Sequence, residues 1–174
     1  MKEKETGQLW VGIPTIQTDL RYLSGFSAPD SLVFLRKKHR SFLVVNSMEA
    51  PRAQRTVRDV MVLTPEELGL EGEKRFFRRE WVLALLKREK LTTVWVPFSF
   101  PFGLAEELRQ AGIRLKRLPE PEVPEREVKS PEEQAMIRHC QRAAADAIRK
   151  ARQVIRSAVP DSKGRLTVGG QTLT

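Results

Sequence analysis

The sequence predicts a mixed α/β domain, a sheet of about five or six strands flanked by helices, followed by one long helix. Three observations carry that expectation. Short β-rich runs alternate with segments of helical spacing. Two of the runs, SLVFLR and SFLVV, are separated only by a basic cluster, as in an antiparallel hairpin. Near the end, a proline- and glutamate-rich tract precedes a capped, amphipathic stretch.

The elements follow in order. Leu9-Trp10-Val11 is a short apolar run closed by Gly12 and reads as an edge strand. Asp19 to Phe26 (DLRYLSGF) leads to a turn at Ala28-Pro29-Asp30. Ser31–Arg36 and Ser41–Val45 form the hairpin, both strands largely buried, with Arg36-Lys37-Lys38-His39-Arg40 as a charged turn. Asn46 to Arg55 has room for a helical turn that Pro51 limits. Asp59–Leu63 is a third strand, and Thr64-Pro65-Glu66-Glu67 has the cap–proline–acid grammar of a helix start. Phe77 to Lys90 alternates at helical spacing, with Trp81, Leu85 and Leu86 facing inward. Thr93–Val96 is a fourth strand, followed by an aromatic, proline-rich loop from Pro97 to Gly103. Leu104–Ala111 is a short helix ended by Gly112, and Ile113–Leu118 a fifth strand.

Pro119-Glu120-Pro121-Glu122-Val123-Pro124-Glu125 holds the backbone extended while its acids keep it solvated, as a linker does. Ser130 then caps a helix, Pro131 suits its first position, and Glu133 completes a capping box. Ile137, Cys140, Ala144, Ile148, Ala151, Ile155 and Ala158 recur at steps of three and four up to Pro160. The expected division is an α/β domain over 1–118, a linker over 119–129, a connecting helix over 130–159, and over 160–174 the opening of a further domain that is cut off.

With 40% hydrophobic and 30% charged residues, the 174-residue chain has the make-up of one globular domain. Its single cysteine, Cys140, excludes an internal disulfide, fits a reducing compartment, and falls on the apolar stripe, so it reads as a buried small hydrophobe. MKEKETGQLW lacks the apolar core of a signal peptide and no run is long enough to cross a bilayer, so a cytoplasmic location is expected. The net charge of +9 raises nucleic acid as a partner. Its clusters, the basic turn and the helix face with Arg138, Arg142, Arg149, Lys150, Arg152 and Arg156, have no interleaved aromatics to stack bases, so that reading is disfavoured.

Catalytic material is sparse. His39 sits in the charged turn, and His139 lies on the long helix without a second ligand type at metal-binding spacing. No phosphate-binding glycine motif, nucleophile elbow or C-x-x-C is present, and Gly169-Gly170 is too short a pair to suggest phosphate binding. A nuclease of ribonuclease-H type would need strand carboxylates for Mg²⁺, and SLVFLR, SFLVV and TVWV have none. No catalytic, cofactor-binding or metal residue is therefore expected in this chain.

Two segments resemble one family. DLRYLSGF (Asp19–Phe26) is similar to the D-x-R-Y-L-[TS]-G-F motif ahead of the first strand pair in the amino-terminal domain of creatinases, prolidases and Xaa-Pro aminopeptidases. REVKSPEE (Arg126–Glu133), with Ala135-Met136-Ile137-Arg138 and Ala143-Ala144, is similar to the R-x-x-K-[ST]-x-x-E-[IL] start of that family's connecting helix. The chain departs from the pattern after the second strand, where Asn46-Ser47-Met48-Glu49 stands in place of D-x-R-Y.

The resemblance implies a ribonuclease-H-like creatinase-type domain that is itself non-catalytic and supports dimerisation and access to the substrate cleft. It implies a partner in the chain's own carboxy-terminal domain, which would bind two divalent metal ions, manganese being expected, and cleave the bond before proline in peptides. None of that domain's ligands, two Asp, one His and two Glu, has a counterpart here. Arg21, Tyr22 and Phe26 are the candidate contacts to the substrate cleft. The competing expectation is that Tyr22 and Phe26 pack the sheet and Arg21 pairs with Asp19 or a carbonyl. The alternatives to this reading are a free-standing interaction module and, behind it, a basic nucleic-acid binder.

Overall fold

The computed structural model describes residues 6–173. Residues 1–5, part of the stretch searched for a leader, and Thr174, the end of the last expected segment, lie outside the described residues. The chain divides into two compact units, 1–124 and 125–174.

The first unit is a six-stranded mixed sheet with helices on both faces. Its elements are β1 (Gly7–Gly12), α1 (Thr18–Ser24), β2 (Leu32–Arg36), β3 (Ser41–Val44), α2 (Ala50–Thr56), β4 (Val60–Leu63), α3 (Arg78–Arg88), β5 (Thr93–Val96), α4 (Phe102–Gln110) and β6 (Arg114–Arg117). The strand order is β4-β3-β2-β1-β5-β6. β2 runs antiparallel to both β1 and β3, and every other neighbouring pair is parallel. The hairpin expected at Arg36–Arg40 is present, with Arg36 opposite Ser41.

Successive residues of the central strands alternate between two cores, as the pleat requires. Leu9, Val11, Val33, Leu35, Phe42 and Val44 face α3 and α4, while Trp10, Leu32, Phe34 and Leu43 face α1 and α2. Trp81, Leu85 and Leu86 of α3 are buried, as their spacing predicted, and Val82 is buried with them. α3 has no side-chain cap. Burial of each such side chain contributes roughly 1.5–3 kcal/mol, against about 1 kcal/mol for a cap, so packing outweighs the missing cap.

Three expectations need correction, and one contact was not foreseen. Leu9–Val11 is not at an edge: β1 pairs with β2 on one side and β5 on the other, and its unbroken apolar run is the mark of a strand covered on both faces. Pro51 does not limit α2 but sits in its first turn, where its missing N–H costs nothing. Thr64-Pro65-Glu66-Glu67 makes one turn and no helix, and a 3-10 turn over Gly72–Phe76 leads to α3. The basic turn is not wholly solvated. Lys37 is buried and its Nζ donates to Glu89 Oε2 at 3.0 Å, fastening the β2–β3 hairpin to the end of α3.

The second unit holds α5 (Pro131–Ser157) and a small antiparallel sheet of β7 (Val159–Pro160), β8 (Leu166–Val168) and β9 (Gln171–Thr172). The predicted capping box is formed: Glu133 N–H donates to Ser130 Oγ at 3.2 Å and Ser130 N–H to Glu133 Oε2 at 2.8 Å. Gly169 and Gly170, both at positive φ, make the two-residue turn between β8 and β9. No residue of α5 is buried, and Cys140 is exposed, not buried as expected: its place on the stripe is right, but no side chain among the described residues covers that stripe.

Candidate functional site

Five of the six strands of the first sheet run the same way. The carboxyl ends of β1, β3, β4, β5 and β6 therefore share one edge with the start of β2. Loops at this edge are where open α/β sheets bind ligands. Single exposed apolar side chains are ordinary, but a concentration of them marks a contact surface. Of the eight large hydrophobics exposed on the first unit among the described residues, six lie in this edge: Ile16, Met48, Phe76, Phe77, Phe98 and Phe102.

Two clefts open there. One, of about 460 Å³, lies between the starts of α3 and α4, with Val11, Ser31, Phe77, Pro101 and Leu104 among its walls and Arg78, Arg79, Glu80 and Glu107 around them. The other, of about 440 Å³, is lined by Asp30, Asn46, Ser47, Met48, Pro65, Glu66, Arg75, Phe76, Arg78 and Trp81. Arg78 borders both.

The second cleft is bound together by side-chain hydrogen bonds. Asn46 Nδ2 donates to Asp30 Oδ2 at 3.1 Å, and Asn46 Oδ1 accepts from Glu49 N–H at 2.8 Å. Ser47 Oγ donates to Glu66 Oε2 at 2.7 Å, and Arg75 Nη1 to Glu66 Oε1 at 3.2 Å. Glu66 is held below the ordinary carboxylate range, first by the Ser47 hydroxyl and next by its own backbone N–H. Trp81 Nε1 donates to Arg75 O at 2.7 Å, tying the 3-10 turn to α3.

Arg78 is the most constrained charge at this edge. Its Nε donates to Ser31 O at 2.9 Å, and its guanidinium lies 3.8 Å from the centre of the Trp81 ring. Burial lowers its pKa, and the nearby Asp30 carboxylate opposes that shift. Both contacts fix the plane of the guanidinium, which is the form that binds planar oxyanions in bidentate fashion.

The residues singled out in the sequence lie elsewhere. Arg21 and Tyr22 are exposed on α1 and line neither cleft. Phe26 is fully buried between Leu20 and the sheet, with the Arg52 guanidinium 4.3 Å from its ring centre, so it packs the core and cannot face a cleft. Gly25, at φ +63°, closes α1 and turns the chain so that Phe26 drops inward. His39 and His139 are exposed, and no group of three or more His, Cys, Asp or Glu among the described residues could hold a metal ion. Sequence reasoning missed Arg78 because an arginine beside Arg79 at a helix start looks like solvated charge. The exposed Phe76-Phe77 pair before it was the available signal.

Comparison with solved structures gives the fold a precedent. An X-Pro aminopeptidase from Thermotoga maritima matches over 91% of this chain and 44% of its own, with a TM-score of 0.69 and 16% identity. The Xaa-Pro dipeptidase from Bacillus anthracis matches over 90% and 41%, at 0.67 and 14% identity. The prolidase from Pyrococcus horikoshii matches over 91% and 41%, at 0.59 and 20% identity. The chain has the fold of the creatinase-type amino-terminal domain. At these identities the likeness is one of fold. The chain spans less than half the length of each of those three structures. No protein-family model and no curated protein matches the sequence. No helix of the described residues is long and apolar enough to cross a membrane.

Proposed function

We propose that this chain is the non-catalytic amino-terminal domain of a proline-specific metallopeptidase of the Xaa-Pro aminopeptidase or dipeptidase kind, followed by its connecting helix. The observation that carries the reading is the apolar rim at the carboxyl edge, Ile16, Met48, Phe76, Phe77, Phe98 and Phe102, on a fold shared with peptidase structures. Such a rim suits a wall against which a second domain or subunit closes and through which a peptide must pass. Arg21 and Tyr22, exposed on α1 and apart from that rim, are assigned to the substrate cleft on the strength of their motif alone.

No group of three or more His, Cys, Asp or Glu among the described residues could hold a metal ion, and this reading assigns the two divalent ions, manganese by expectation, to a catalytic domain of the parent protein. Bound there, they supply a water of lowered pKa to attack the bond before proline. This domain's part is to bind, orient and limit access. The same reading assigns proline-containing peptides as substrates, a homodimeric assembly and a cytoplasmic location.

A second reading, a free-standing interaction module, is favoured by α5, whose Met136, Ile137, Ile148 and Ile155 are all exposed. One experiment separates the two. The source gene is read beyond the codon for Thr174, and its product is assayed on Xaa-Pro peptides with Mn²⁺. The first reading expects a continuing frame with two Asp, one His and two Glu, and turnover that falls when Phe98 and Phe102 are both changed to Ser. A stop codon directly after Thr174 would leave the module.

A further inference from the structure

The 460 Å³ cleft between α3 and α4 has a composition that the reading above does not use. Its volume lies in the range of small-molecule pockets, roughly 300–1,000 Å³. Its apolar wall is Val11, Phe77, Pro101 and Leu104. Of its four charged side chains, Arg79 and Glu80 pair with each other at 2.5 Å. That leaves one cation, Arg78, and one anion, Glu107, on opposite helices.

Arg78 is prepared for a ligand. Ser31 O holds Nε and the Trp81 ring holds the plane, while the two terminal nitrogens donate to no other group among the described residues. The Glu107 carboxylate likewise has no ion pair or hydrogen bond among the described residues. α3 also begins at this cleft without a side-chain cap, so its first-turn N–H groups add to the positive potential beside Arg78.

We propose that this cleft binds a small zwitterion, an α-amino acid or a short unblocked peptide with an apolar side chain. Its carboxylate lies on Arg78, its ammonium beside Glu107, and its side chain against Phe77, Pro101 and Leu104. The nearby Asp30 carboxylate accepts from Asn46 and makes no ion pair with Arg78, so the fixed guanidinium can form a bidentate pair with the ligand's carboxylate, and a cation and an anion on facing walls select against simple anions and simple amines. No step of peptide cleavage enters this inference, and it stands whether or not the parent protein is a peptidase.

The test is a titration of the ¹⁵N-labelled full chain followed by NMR at the Arg78 Nε–H and the Phe77 and Leu104 amides. The probes are L-leucine, leucyl-leucine, N-acetylleucine, leucinamide and acetate. Leucine or leucyl-leucine should give saturable shifts at all three signals, the tighter of the two naming the source. N-acetylleucine, without the ammonium, and leucinamide, without the carboxylate, should each bind at least about tenfold more weakly, the scale of one charge-assisted hydrogen bond. Glu107→Gln, on an exposed position that leaves the fold intact, should weaken leucine by a similar factor, and Arg78→Lys should also weaken it because a point charge replaces the fork. Absence of saturable shifts with either zwitterion, equal binding of acetate, or leucine binding unchanged in Glu107→Gln would each overturn the proposal.

Discussion

Two stretches of this chain begin with the same words and end differently. Thr64-Pro65-Glu66-Glu67 and Ser130-Pro131-Glu132-Glu133 both form a reciprocal capping box. In the first, Thr64 N–H donates to Glu67 Oε2 at 2.7 Å and Glu67 N–H to Thr64 Oγ1 at 3.3 Å. In the second, the matching distances are 2.8 and 3.2 Å. Yet the first box opens a single turn and the second a helix of 27 residues. A cap sets where a helix can begin, and the residues after it decide whether one does. Beyond Glu67 stand Leu68-Gly69-Leu70. Gly69 takes φ +75°, its N–H donates to Glu66 O and that of Leu70 to Pro65 O, closing the turn as a helix terminus does. Beyond Glu133 run Gln134, Ala135, Met136 and further good helix formers, with no glycine before Pro160.

The largest effect should come from breaking the longer helix from within. Ala144→Pro removes a backbone donor in mid-helix and costs about 3 kcal/mol or more of local helix. Far-UV circular dichroism should lose much of the α5 signal, while the urea transition of the first unit, monitored by tryptophan fluorescence, stays in place. Next comes the residue that ends the short turn. Gly69→Ala meets no atom within 4 Å, so its cost is backbone strain alone, roughly 1–2 kcal/mol for a side chain in the left-handed region, read as a lower urea midpoint. Smaller again is loss of the caps. Ser130→Ala should cost about 1 kcal/mol of helix and lower the α5 dichroism, whereas Thr64→Ala should leave helix content unchanged because no helix follows it.

The smallest effect is that of acid. Glu132 is held below its ordinary value of 4.5, first by its own backbone N–H and then by the Ser130 hydroxyl. A carboxylate with a lowered folded-state pKa adds its full stabilisation above the ordinary value and loses it as pH falls through the lowered one. α5 helicity should therefore be flat near neutrality and decline below pH 4.5, and Glu132→Gln should flatten that decline.

Most of the sheet was legible in the residues, because its strands are apolar runs bounded by turn formers. The hairpin at Arg36–Ser41 and the inward face of α3 at Trp81, Leu85 and Leu86 came directly from pattern. What pattern cannot carry is pairing between distant segments. The apolar run of Leu9–Val11 marks a strand covered on both faces but does not name its neighbours, since one of them is β5, some eighty residues on. Lys37 looks like every other lysine in its cluster until Glu89, at the far end of α3, is brought beside it. The candidate cleft was hidden for the same reason. Arg78, Ser31 and Trp81 are scattered in sequence, and only the fold makes one of many arginines a fixed one. Arg21, Tyr22 and Phe26 were visible as a motif, but the structure separates them: the first two are exposed, and the third is a core side chain.

A supporting lobe of the kind proposed above should cleave no peptide by itself. The most direct test is to incubate the purified 174-residue chain with Mn²⁺ and a set of Xaa-Pro dipeptides and tripeptides, and to measure released amino acids. The expected result is no release above the rate with metal alone. Turnover that scales with protein concentration and is abolished by a chelator would contradict it.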